Sequence, residues 1–142
     1  DNLIDAMRLA AERDLVARQY ADGFREVLSF VLPALSSAID RGWALNAAIV
    51  HVHLQTMQAF PDTLIARKCG LPLAERAAHL AGGVLACGEP GDANYQAALS
   101  DLDFWLRSDH HRRNPGTTAD LVAAGLFAAL RSGIIQLPVR FY

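Results

Sequence analysis

Apolar side chains return every three or four residues along nearly all of this chain. No stretch between turn signals alternates apolar and polar residues as a half-buried strand does. That pattern restricts the fold to packed helices, and the fold class read here is all-α, a compact multi-helix bundle. Many alanines and short connections favour close helix packing. Hydrophobic residues make up 52% of the 142 and charged residues 20%, enough apolar matter for a core and too little charge for a disordered chain. Residues 1–142 are read as a single helical domain.

Prolines and glycines mark where the helices stop. Over residues 3–18, Leu3, Met7, Ala10 and Asp14 share one stripe, with Ile4, Ala11 and Leu15 beside it. This predicts a first helix that is interrupted at Gly23 or runs on through Phe24, Val27, Leu28 and Val31. Pro33 breaks or kinks whatever reaches it, and a short piece over 34–40 ends at Arg41 and Gly42. A long apolar helix over 44–59 ends or kinks at Pro61. Residues 62–68 form one or two turns closed by Gly70. Pro72 suits the first turn of a helix running to Ala86. Residues 88–92 are a loop, and 93–107 a helix carrying Tyr95, Leu99, Leu102 and Leu106 at helical spacing. A polar loop over 108–116 leads to the last helix, 118–132, closed by Gly133. The tail 134–142, with Pro138, is extended.

Thirteen basic residues stand against fifteen acidic ones, a net charge of −2. Such a balance gives no electrostatic reason to bind nucleic acid or an acidic membrane, and neither partner is expected. No run of about 18 uncharged apolar residues is present, so no membrane span is expected. Cys69 and Cys87 belong to no CxxC or zinc-like spacing and read as reduced thiols of a cytoplasmic protein. No basic-then-apolar stretch opens the sequence as given, and no signal peptide is expected. It opens in mid-helical rhythm without Met, as the later part of a longer chain would.

The densest chemistry lies at a loop-to-helix junction, residues 110–120. It holds His110, His111, Arg112, Arg113, Asn114, Pro115, Gly116, Thr117, Thr118 and Asp120. Gly116 permits close backbone approach to a ligand, and the N–H groups after it, at a helix start, suit an anion. Arg112 and Arg113 add possible bidentate phosphate contacts. Thr117 with Asp120 also reads as a near capping box, which explains part of the motif without a ligand. A second segment runs from Phe60 to Lys68. Asp62 suits Mg²⁺, and Arg67 and Lys68 suit the phosphates that Mg²⁺ would bridge. The plainer reading makes Asp62 a helix cap and leaves the two cations in solvent. His51 and His53 fit no zinc pattern and read as hydrogen-bonding core histidines; Arg13, Asp14 and Arg18 read as an exposed ion-pair ladder. Neither a P-loop, a GxGxxG nor a nucleophile elbow occurs.

Together, residues 61–68 (Pro-Asp-Thr-Leu-Ile-Ala-Arg-Lys) and 114–124 (Asn-Pro-Gly-Thr-Thr-Ala-Asp-Leu-Val-Ala-Ala) resemble the triphosphoribosyl-dephospho-CoA synthase family. The form is closest to its methylotroph and archaeal branch, and the resemblance extends to residues 13–20. It implies an all-helical transferase that moves the triphosphoribosyl group of ATP to the 2′-hydroxyl of dephospho-CoA, or of a related acceptor, releasing adenine. It further implies Mg²⁺ with ATP, Asp62 and Asp120 as catalytic and metal-binding carboxylates, and a base that is one of these or a histidine. Arg67, Lys68, Arg112, Arg113, Asn114, Gly116, Thr117 and Thr118 would bind substrate phosphates. The chain corresponds to the C-terminal portion of such a protein. The family's N-terminal half, with its Asn-x-His-Lys-Gly-type motif, is not in this sequence. Activity is therefore expected of the full-length protein rather than of this chain alone, and self-association through the face that half would cover is expected. The alternative is a non-catalytic nucleotide- or anion-binding helical module in a one-carbon cofactor pathway.

Overall fold

The computed structural model describes residues 2–142, and among them helices are the only regular secondary structure. They are α1 (Leu3–Ala10), α2 (Leu15–Ala21), a π-helical turn (Val27–Val31), α3 (Leu32–Asp40), α4 (Leu45–Ala59), α5 (Thr63–Cys69), α6 (Leu71–Ala86), α7 (Ala93–Arg107) and α8 (Gly116–Arg131). The all-α expectation therefore stands. The chain divides into two compact units, one made of Asp1–Val52 with Ala119–Tyr142, the other of His53–Thr118.

In the first unit, the single helix expected over 3–18 is two helices. Asp14, placed by periodicity on the apolar stripe, is instead an N-cap. Its Oδ1 accepts from the N–H of Val16 (2.9 Å) and of Ala17 (3.2 Å), so a new helix starts there. Gly23 and Phe24, both at positive φ, end α2. Beyond them the chain is helical from Arg25 to Asp40, with the π turn just ahead of Pro33. Pro33 has no N–H to give the preceding turn, and its ring crowds that turn's carbonyl. The widened π register accommodates it, so Pro33 neither ends the helix nor opens a separate one.

The core of this unit gathers Leu15, Val27, Val31, Leu35, Ala48, Val52, Leu121, Val122 and Ala129. Gly125 sets how closely α8 packs there. A Cβ at that position would lie 2.5 Å from Cγ1 of Val31 and 3.3 Å from Cδ1 of Leu35. The tail serves α4, whose Leu45 and Asn46 N–H groups donate to the carbonyls of Arg140 (2.9 Å) and Phe141 (3.1 Å).

The second unit packs the latter part of α4 with α5, α6 and α7. Leu54, Met57, Ile65, Ala74, Ala77, Ala81, Val84, Tyr95 and Leu102 form its core. Observed bounds for α4, α6 and α7 lie within a residue of those expected, because Pro61, Pro72 and the turn at 88–92 punctuate them.

One buried carboxylate ties the first unit together. Glu26 Oε2 accepts from Nε2 of Gln19 (2.8 Å), which also donates to the Leu15 carbonyl (3.1 Å), while the Val27 N–H reaches Gln19 Oε1 (3.3 Å). Arg25 lies 3.3 Å and Arg18 3.7 Å from Oε1 of Glu26. Burial pushes the Glu26 carboxyl up, but its hydrogen bonds and the Arg25 charge outweigh that and hold it below 4.5. A group depressed in the folded state adds stability above its unfolded pKa and loses it as pH falls through the folded one. Denaturant unfolding from pH 7 to pH 3 should therefore show stability falling below about pH 4.5. Glu26→Gln should flatten that acid limb and cost about 2 kcal/mol at pH 7.

Candidate active site

The two motifs that carry the family resemblance meet inside the second unit. Asp62 is fully buried and stands at the start of α5. Its Oδ1 accepts from the N–H groups of Leu64 (2.8 Å) and Ile65 (3.0 Å). Its Oδ2 accepts from the N–H of Thr118 (2.7 Å) and from Oγ1 of Thr118 (2.8 Å). One carboxylate thus caps two helices that begin 53 positions apart, at Thr63 and at Gly116. Thr117 completes the junction: its Oγ1 accepts from the N–H of Leu64 (3.0 Å) and from Oγ1 of Thr63 (3.2 Å).

This geometry corrects two local readings. Thr117 forms no capping box with Asp120, because α8 starts at Gly116 and Thr117 lies within its first turn, turned toward α5. Nor does Gly116 open backbone toward a ligand. The space a Cβ would fill holds Cδ2 of Leu64, 2.5 Å away. The anion that these helix starts attract is supplied from within, by Asp62.

The arginines of the junction are turned to other tasks. Arg112 donates from Nη2 to the Lys68 carbonyl (3.0 Å) at the C-terminal end of α5, and its own carbonyl accepts from Sγ of Cys69 (3.5 Å). Arg113 lies 4.6 Å over the Trp105 ring and donates from Nη1 to the Trp105 carbonyl (3.0 Å) and to Oγ of Ser108 (2.9 Å). Its Nε is buried without a partner among the described residues. Asn114 is exposed, and its carbonyl accepts from the Gly116 N–H (2.9 Å). Arg67 and Lys68 are exposed at the end of α5 opposite Asp62. The structure therefore joins Asp62, Thr117 and Thr118 at one end of α5 and Arg112 with Lys68 at the other, about 10 Å apart by helical rise. Asp120 is exposed on α8, in the first unit.

Three residues here were not among the site residues read from the sequence. Thr63 reaches Thr117. Trp105 takes Arg113 on its ring and has Arg76 5.7 Å from its centroid. His53, half-buried on α4, feels the charge of Asp62. Burial lowers its imidazole from the ordinary 6.5, and Asp62 opposes that without cancelling it, so the ring is neutral at neutral pH.

Asp62, as it is hydrogen-bonded, has no lone pair to offer Mg²⁺: four donors occupy its two oxygens. No group of three His, Cys, Asp or Glu side chains able to hold a metal occurs among the described residues.

A family model, ATP:dephospho-CoA triphosphoribosyl transferase, matches residues 1–137. The chain belongs to this family. ATP and dephospho-CoA are the family's substrates, the reading as a triphosphoribosyl-dephospho-CoA synthase is upheld, and a non-catalytic module is not favoured. No curated protein and no solved structure matches the chain. Among the described residues, no helix is long and apolar enough to cross a membrane.

The double cap makes Asp62 a stability residue. Asp62→Ala should lower unfolding free energy by about 2–4 kcal/mol, two helix caps plus the stranded Thr118 donors. Thr117→Val should cost about 1 kcal/mol. Chemical denaturation of the two variants checks both values and their order.

Proposed function

We propose that the transferase reaction runs beside the junction of α5 and α8, with the 2′-hydroxyl oxygen of dephospho-CoA attacking C1′ of the ATP ribose. The new bond is O2′–C1′; the bond that breaks joins C1′ to adenine, which departs with the electron pair and is protonated. The carrying observation is that the two segments bearing the family motif are hydrogen-bonded into one unit through Asp62 and Thr117.

In this reading the residues divide their work by position. Asp62, Gly116, Thr117 and Thr118 hold the two helix starts in place. Lys68 and Arg67, exposed at the other end of α5, take phosphate oxygens, and Asn114, exposed on the loop that Arg112 and Arg113 brace, adds a further polar contact. Mg²⁺ arrives on the triphosphate rather than in a site of the protein's own, and it supplies charge neutralisation there. His53, neutral and half-buried near Asp62, accepts the hydroxyl proton. The protein works in the cytoplasm, where ATP and CoA precursors are found. Self-association accompanies this function: of the thirteen exposed large apolar side chains among the described residues, only Leu71 and Phe104 belong to the second unit.

Incubation of the full-length protein with ATP, Mg²⁺ and dephospho-CoA, followed by chromatography, should show adenine released in step with the triphosphoribosyl product. His53→Gln should cut kcat by about a hundredfold or more while leaving KM for ATP nearly unchanged. A folded protein that releases no adenine with dephospho-CoA or related acceptors would overturn the reaction, and an unchanged kcat in His53→Gln would overturn the base.

A further inference from the structure

α8 carries an exposed stripe that its own unit leaves unused. Asp120, Ala124, Phe127 and Arg131 follow one another at spacings of four, three and four residues, which sets them in one line down the helix. Leu121, Val122, Gly125 and Ala129, which are buried, face the other way. Phe127 is 69% exposed. The side chains of Asp120 and Arg131 are exposed, and neither has an ion pair or hydrogen bond among the described residues. Beside the stripe runs an apolar groove of about 680 Å³, with Phe24 and Leu28 on one wall and α8 on the other.

The stripe is complementary to itself when reversed. In an antiparallel pair of α8 helices, the register that sets Phe127 of one copy against Ala124 of the other also sets Arg131 against Asp120. Both pairs are centred on the same point, between Gly125 and Leu126. Large thus meets small in the middle, and positive meets negative at both ends. The small floor at Ala124 leaves the groove open to an incoming phenyl ring. On the flank, exposed Leu130 falls close to exposed Ala123 of the other copy. Spacings of four and three are those of an antiparallel helical seam, and an isologous contact needs this kind of self-complementarity.

We propose that α8 is the two-fold interface of a homodimer, with Phe127 of each copy seated against Ala124 of the other and Asp120–Arg131 pairs closing both ends. This deepens the self-association proposed above and gives Asp120 its partner in the second copy. It does not depend on which reaction the protein catalyses.

The test uses sedimentation velocity and light scattering over about a hundredfold range of concentration, wide enough to bracket a micromolar dissociation constant. The wild-type protein should dimerise. D120R leaves both ends of the seam positive and R131D leaves both negative, so each alone should raise the dissociation constant about tenfold or more. An equimolar mixture of the two should restore a dimer, now a heterodimer. F127D should be monomeric. All three substituted positions are exposed, and circular dichroism confirms that the helices persist. A wild-type monomer throughout, a dimer indifferent to F127D, or a mixture that fails to recover would each overturn the interface. Adenine release is scored separately on the same wild-type sample. A monomer that releases adenine overturns the interface alone, and a full-length dimer that releases none overturns the reaction alone.

Discussion

The second unit depends on a buried carboxylate with no unused lone pair. Asp62 receives two backbone donors from α5 and a backbone and a hydroxyl donor from Thr118. An ionised group without solvent is tolerable only when donors replace the lost water, and here the donors come from two helix starts. Those starts would otherwise leave several N–H groups unpaired. Each side therefore solves the other's problem, and the positions of Leu64, Ile65 and Thr118 become fixed relative to one oxygen pair. Gly116 follows from the same constraint, because the approach leaves room for Leu64 but not for a Cβ.

This arrangement changes how the family motif is understood. Helix starts attract anions, and a substrate phosphate was the natural occupant. With Asp62 already there, the proposed function assigns phosphate recognition to the cations at the opposite end of α5 and brings Mg²⁺ in with the nucleotide. In the first unit Glu26 is buried and satisfied by Gln19, with Arg25 and Arg18 close by. Both units hold a satisfied internal carboxylate, but of the two only Asp62 caps helix starts; Glu26 instead binds the side chain of Gln19, which takes the Val27 N–H.

Much of the fold was legible in the sequence because prolines and glycines act locally. Helices α4, α6 and α7 were bounded by Pro61, Pro72 and the turn at 88–92, whose effects do not depend on distant residues. The reading failed where a polar side chain had two possible uses. Asp14 fell on an apolar stripe by spacing, yet its carboxylate had nearby N–H groups to cap. The π turn before Pro33 left no periodic trace. At the site, the motif residues were legible, and so was the capping alternative for Asp62. The directions of Arg112 and Arg113 were not, because the Lys68 carbonyl and the Trp105 ring that hold them are tertiary partners. No local pattern in a chain announces a cation stacked on a ring from another element.

Amide hydrogen exchange at Leu64, Ile65 and Thr118 tests the shared cap most directly, read by nuclear magnetic resonance in the wild-type protein and in Asp62→Ala. The account predicts that all three amides are protected in the wild type and lose protection together in the variant, while α7 amides keep theirs. Loss at Leu64 and Ile65 with Thr118 still protected would contradict it, because the two helix starts would then be held independently.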